Sequence, residues 1–434
     1  MKLIKSSVLT ILLLLPFVFA TAEEAKTTAV DLPEPLTLDL ALSLIDQQHP
    51  DLRYVSADLQ YANSILQEKS STNNLSVNLR AESKWIAPSA IAMNQSTEEQ
   101  RLVLDVNKTL YDFGRLSAQV DEASQQILSQ NLLYINARQR QYINVIQRYF
   151  NVVLADLQFY RYNEEMAVAY IEFDRTQIRE KLGQRTELQV AEKNAAYQRI
   201  RRLRTQSQNQ QRVTRSLLAQ ALNKPGSLPT TVSRPELNVI SRELPEIEVL
   251  QKKVNENNPI LTALRAQLTA ARQKINYAYA SDNPMLTGRV EAFKYAEPSN
   301  TANDWEATII LDVPLWSGSQ VDAAVAKAKA EVYKIEAQLA QQELIVQQQV
   351  LELYLGIETL KIKHDEVVAN MNFSELSLDQ NRARYELEVQ ADLGYSMVKF
   401  SAAEREVAKT NFDMALAWAE LDALSGTLLN KTNK

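Results

Sequence analysis

The sequence has no cysteine and only two histidines in 434 residues. Disulfides, thiolate metal sites, cysteine nucleophiles and lipidation on an N-terminal cysteine are therefore excluded. His49 and His364 occupy unrelated places. His49, next to Pro50, reads as a helix cap, and His364 as an exposed residue. No glycine-rich phosphate loop and no catalytic constellation appears, so neither an enzyme nor a cofactor is expected. Glycine and proline number only 8 and 13, which argues for few turns and long elements. The net charge of −6 is mild and offers no basic surface to nucleic acid. Beyond the N-terminus no stretch holds ~18 uninterrupted apolar residues. Any membrane crossing must then be a β-barrel.

Residues 1–22 have the pattern of a signal peptide. Lys2 and Lys5 form a basic start, an apolar run over 8–20 contains Pro16, and Ala20-Thr21-Ala22 is a small-residue cleavage site. Acidic Glu23 and Glu24 follow, and the mature chain is expected outside the cytoplasm.

Downstream, the hydrophobic period changes several times. Residues 36–45 and 51–71 read as helices, the second with Leu52, Val55, Leu59, Ala62 and Leu66 on one face. Residues 75–85 alternate like a strand. Leu75, Val77, Leu79, Ala81 and Trp85 fall on one face, and Ser76, Asn78, Arg80, Glu82 and Lys84 on the other. After a loop over 86–99, Leu102, Leu104 and Val106 alternate against Val103, Asp105 and Asn107, which predicts a hairpin over 75–111. At Gly114 the alternation gives way to helical spacing. Leu116, Val120, Ala123 and Ile127, then Ile146, Phe150, Val153, Leu157 and Tyr160, mark a coiled-coil seam. Gly183 is the first breaker, and a return helix runs to about 223.

The plan then recurs. Residues 227–245, rich in proline, read as a linker between a first repeat (23–226, helical hairpin 112–223) and a second (246–427). The second holds a helix over 260–281 with Leu264, Leu268, Ala271 and Ile275 as its stripe. A strand hairpin over 285–316 follows, weakened by Gly288, and then a helical hairpin over 318–425. The latter's seam is Val325, Val332, Leu339, Val346, Leu353 and Leu360. Residues 428–434 read as a tail. Tyr149, Arg179, Leu182 and Leu188 recur as Tyr354, Arg384, Leu387 and Leu393, all 205 positions on, the signature of a duplicated structural unit.

Alternation alone leaves two destinations for the four strands, a soluble core or a membrane. In a membrane four strands cannot close, since barrels need at least ~8, so that reading forces an oligomer: a dimer with eight strands or a trimer with twelve. Arg80, Glu82, Lys84, Asp105, Arg289, Glu291, Glu306 and Asp312 would face the lumen. So many charges favour the wider, water-filled trimer. Trp85 and Trp305 at one set of strand ends, with Tyr111 and Trp316 at the other, suit interfacial girdles; in a soluble sandwich they would be core aromatics.

The duplicated helix, hairpin and long-helix plan resembles the TolC-like outer-membrane factor (outer membrane efflux protein) family. The pieces that carry the likeness are Leu36-Thr-Leu-Asp-Leu-Ala-Leu with His49-Pro50, Leu110-Tyr-Asp-Phe-Gly-Arg115, Pro314-Leu-Trp-Ser-Gly318, and Gly183 before Thr186 and Leu188. They span essentially the whole mature chain. The resemblance implies a mainly α protein with a β-barrel part. Long coiled-coil hairpins would form an α-helical tunnel in the periplasm below a trimeric 12-stranded outer-membrane barrel. It implies a passive exit duct for small molecules or polypeptides in a tripartite efflux or type I secretion system. The partners would be a periplasmic adaptor, an inner-membrane RND or ABC transporter, two further copies of the chain, and outer-membrane lipid. A soluble periplasmic coiled-coil scaffold or adaptor is the competing reading; two long hairpins and few glycines fit it poorly.

By the same resemblance, the helix–helix turns form the periplasmic mouth. Leu182, Gly183 and Thr186 of one turn, with Leu387, Val389 and Ala391 of the other, would contact the adaptor. Arg179, Lys181 and Arg185 make the first turn basic, and Glu386, Glu388 and Asp392 make the second acidic. These charges are candidate gating residues. Relatives with a known constriction carry acidic residues just past the second turn. Gly394 and Met397 stand there in this chain, so the resemblance does not extend to an acidic ring at that level. The Tyr-Asp-Phe-Gly-Arg junction and the missing lipidated cysteine lean towards the secretion-capable branch.

Overall fold

The computed structural model describes residues 32–91, 95, 97–296, 303–387 and 392–431; the expected signal peptide lies outside them. Helices α1 (Leu38–Ser43) and α2 (Pro50–Ser71) lead into strands β1 (Ser76–Trp85) and β2 (Glu98–Tyr111). Helices α3 (Arg115–Lys181) and α4 (Glu187–Ala221) follow. Beyond a connecting segment come α5 (Ile247–Asn257), α6 (Pro259–Ala280), β3 (Met285–Tyr295) and β4 (Trp305–Asp312). The chain closes with α7 (Gln320–Glu386), α8 (Leu393–Leu424) and the short α9 (Leu428–Lys431). Both α3 and α7 have 67 residues, roughly 100 Å of helix each. Helices dominate, with one antiparallel four-stranded sheet in the order β1-β2-β3-β4.

Local chemistry sets the helix ends. Thr37 caps α1 through the Leu40 amide, and the Nδ1 of His49 accepts from the Asp51 amide at the start of α2. Thr186 and Gln189 form a reciprocal capping box at the start of α4. His364 is not free on the surface as expected. Its Nδ1 lies 3.0 Å from the Asn411 side-chain oxygen, part-buried between α7 and α8.

Two hydrophobic cores hold the helices together. One joins Leu36, Tyr149, Phe150, Leu218, Leu222 and Phe412, with the Phe150 and Phe412 rings stacked 4.2 Å apart. The other joins Leu250, Val254, Leu261, Val346, Ile357, Met414 and Trp418. Helix α5 is a feature the sequence reading missed; Leu250 and Val254, one turn apart, bury against this second core. The stripe on α6 also differs from expectation. Its buried face is Ala263, Ala266, Ala270, Ala271 and Ala278, while Leu264, Leu268 and Ile275 are only half-buried. Helix α6 packs against both α3 and α7, and small side chains let the three axes approach. Tyr160 leaves the α3 seam and is 62% exposed, because a 3.6-residue helix drifts from a strict seven-residue repeat.

The segment after α4 is docked on the helices along much of its length. Leu36 and Val232 form a parallel bridge. The Tyr149 hydroxyl donates to the carbonyls of Leu36 (2.9 Å) and Ser233 (2.6 Å). Arg215 grips Asp156 through both terminal nitrogens and donates to the Pro229 carbonyl. Arg242 lies 3.9 Å over the Trp418 ring and is bidentate to Asp422 at 2.6 and 2.9 Å. Residues 428–434, expected as a tail, begin as α9, with Leu428 buried in the first core.

Candidate functional site: the two-faced sheet and the helix tips

Cross-strand register sorts the sheet into two chemically different faces. Leu79 opposes Leu104, Leu104 opposes Ala292, and Val290 opposes Ala307. Val77, Leu79, Leu102, Leu104, Val290, Ile309 and Leu311 are all exposed on this side. On the other side Asn78 opposes Asp105, Asp105 opposes Glu291, and Glu291 opposes Glu306. All eight charges expected to share a face do so in this register. Glu82 pairs with Arg80, Lys84 and Arg101, and Asp105 with Arg289. Phe293 opposes Val103 on this face, and Val103 is 1% exposed. Strand β2 starts at Glu98, earlier than expected, because Glu99 and Arg101 pair across to Lys84 and Glu82; that stretch is too polar to read as a strand.

One irregularity re-aims an aromatic. The β2–β3 register shifts between Thr109 and Tyr111, so Tyr111 opposes Leu286 rather than continuing the alternation. A bulge of this kind turns a side chain to the other face. Tyr111 thereby joins the apolar face, edge-on to Phe113 at 4.6 Å. A Cβ on Gly288 would come within 3.3 Å of the Leu110 side chain. Gly288, which weakened the strand pattern in the sequence, is what lets the bulge pack. Trp85 and Trp305 stand at the end of the sheet away from the helices, Tyr111 and Trp316 at the helical end, all exposed.

The Tyr-Asp-Phe-Gly-Arg junction has a structural role that the sequence did not disclose. Asp112 accepts from the amides of Gly114 and Leu116 and from Asn73, capping α3. Arg115 donates to the carbonyls of Ala280, Ser281 and Asn283, and so closes the C-terminus of α6. This motif joins the two halves of the chain beneath the sheet.

At the far ends of the helices, Leu182 and Leu387 are 67% and 75% exposed. Gly183 has φ +72°; its amide bonds to the Glu180 carbonyl and that of Gln184 to Arg179, a closure that needs a left-handed residue. Thr186 serves as the α4 cap rather than as a free surface hydroxyl. Arg179, Lys181 and Arg185 make no ion pair with any described residue. Leu387 is the C-cap of α7, and Asp392 caps α8 through the Tyr395 amide. Glu386 is the last residue of α7. Glu388, Val389 and Ala391 lie outside the described residues. Just past this turn α8 touches α3: a Cβ on Gly394 would sit 2.7 Å from Cγ2 of Val168. Met397 remains exposed. Among the described residues no cluster of His, Asp and Glu could hold a metal ion, and no helix is long and apolar enough to cross a membrane.

Long helical hairpins below a small sheet with one apolar and one charged face are also the architecture of solved outer-membrane channels. The chain shares this fold with the outer membrane protein VceC of Vibrio cholerae, at TM-score 0.70 and 15% identity over 90% of this chain and 96% of that one. It shares it equally with the CmeC outer membrane channel of Campylobacter jejuni, at TM-score 0.72 and 13% identity over 90% and 86%. Residues 250–427 match the family described as outer membrane efflux protein. Protein CyaE of Bordetella pertussis is 22% identical over 261 residues, covering 59% of this chain and 55% of CyaE; the matched stretch is thus little more than half of that relative. Residues 250–427 thus match the family model, and over nine-tenths of the chain the fold is that of these two solved structures.

Proposed function

We propose that three copies of this chain close into a 12-stranded barrel above a tunnel of long helices. This assembly is the passive exit duct of a tripartite efflux or type I secretion system. The observation that carries the reading is the sheet: its apolar face is exposed, and β1 and β4 each have one described neighbour. In lipid an open strand edge leaves amides and carbonyls unpaired at several kcal/mol each, so β4 of one copy must pair with β1 of the next. A soluble coiled-coil scaffold would leave Val77, Leu79, Ile309 and Leu311 in water, the liability that a lipid contact removes.

The tips, with Leu182, Gly183 and Thr186 on one turn and Leu387, Val389 and Ala391 on the other, would dock a periplasmic adaptor joined to an RND or ABC transporter. Arg179, Lys181 and Arg185 would face Glu386, Glu388 and Asp392 across the mouth and help hold it shut. Trp85, Trp305, Tyr111 and Trp316 would sit at the two membrane interfaces. Substrate choice would rest with the transporter, since the junction motif that leaned towards secretion is accounted for by the Asp112 and Arg115 contacts.

The native chain has no cysteine, so edge pairing can be read directly. Cysteines placed at successive positions of β1 and β4, centred on Leu79 and Ile309, should give covalent dimers and trimers on oxidation in outer membranes. Monomers alone across the whole series would remove the closed-barrel reading. For the mouth, Arg185→Glu should raise channel open probability several-fold; unchanged opening would remove the charge latch.

A further inference from the structure

On the face of the helices away from the docked connecting segment, α3, α4 and α8 enclose a notch of about 340 Å³. That lies at the small end of ligand sites, ~300–1,000 Å³. Arg148, Asn151 and Gln158 of α3, Gln210 and Thr214 of α4, and Arg405 of α8 line it. No described carboxylate is among the lining residues. The orientation follows from helix geometry. Tyr149 points at the connecting segment, and Gln158, nine residues on, lies about 180° round the helix.

The notch is rich in donors that lack acceptors. Nε of Arg405 and Nε2 of Gln158 are buried without a hydrogen-bond partner. Outside the notch, towards the tip, Nε of Arg161 and Nε of Arg204 are also unmet, with the Glu165 carboxylate 3.8 Å from Nη2 of Arg161. Arg405 meets Glu406 through its Nη1 at 2.8 Å, which leaves its Nε side free. Arg148 is held by a neutral amide, donating from Nε to Asn144 at 3.3 Å. An unmet buried donor costs about 1–3 kcal/mol. Two such donors, from α3 and α8, beside the guanidinium of Arg148, point to a missing acceptor. Guanidinium edges select planar or tetrahedral oxyanions, which accept two parallel hydrogen bonds.

We propose that this notch is a binding site for an oxyanion, the phosphate or carboxylate group of a small molecule. Helix α3 is flanked by α4 and α8 of its own chain, so the site lies away from the free flanks of α4 and α7 that a second copy would cover. Under the duct reading, on which only this clause rests, the notch opens into the tunnel and meets anionic cargo in transit.

The test is isothermal titration of the detergent-solubilised full chain at low salt, with inorganic pyrophosphate and with citrate as probes. Saturable binding of either is expected, weakened at least tenfold in Arg148→Gln/Arg405→Gln and retained in part by Arg405→Lys. Tighter binding of pyrophosphate assigns phosphate, and tighter binding of citrate assigns carboxylate. Absence of saturable binding overturns the proposal. So does equal binding by the double variant with unchanged melting, or equal weakening by Arg199→Gln/Arg202→Gln, exposed on α4. Channel conductance, recorded separately, keeps the two readings apart: binding without conductance sinks the duct, and conductance without binding sinks the site.

Discussion

Tyr149 shows how one residue ties the connecting segment to the helices. Its ring is fully buried in the first core, and its hydroxyl bridges two carbonyls of different segments. Tyr149→Phe keeps the ring but leaves the Ser233 carbonyl without this donor. A loss of about 1–3 kcal/mol is expected, together with faster proteolysis within 227–245; an unchanged cleavage rate would show that the other anchors suffice. Burial, helped by Asp39, pushes the phenol up to about 12. An unfolded tyrosine ionises near ~10. The folded value is raised, so this stability is complete below pH ~10 and is lost as pH rises towards 12, by at most about 3 kcal/mol. Melting temperature measured from pH 8 to 12 should fall more steeply in the native chain than in Tyr149→Phe.

At the scale of elements, spacing between helices is set by small residues. Gly394 lets α8 lie against Val168 of α3 close to the tips. Gly394→Val should cost about 1–3 kcal/mol by overpacking, partly offset by better helix propensity, and Gly394→Ala less. Equal melting of all three proteins would show that the helices have room. The elements were largely legible because their signals are local. His49, Gly183 and the alternation over 75–85 announce a cap, a turn and a strand without reference to distant residues. What stayed hidden depends on tertiary partners. The alanine face of α6 carries no large apolar stripe, α5 is short and charged, and Glu98–Arg101 is too polar for a strand except beside Glu82 and Lys84. The bulge at Leu110 became visible only once Gly288 lay opposite. The donors of the notch come from α3, α4 and α8, helices whose meeting no linear pattern reports.

At the scale of the whole molecule, the account turns on a sheet that is complete only in company. In the proposed barrel the apolar face would meet lipid, and the charged face with its Glu82 and Asp105 ion pairs would line a wet interior. Both edges would pair with further copies, and the ~100 Å helices would carry the opening away from the membrane. Planar-bilayer recording on the detergent-purified mature chain, with its oligomeric mass measured in the same preparation, tests this most directly. The account predicts a trimer with small, steady, salt-dependent openings. A monomer that stays soluble without detergent and passes no current would contradict it.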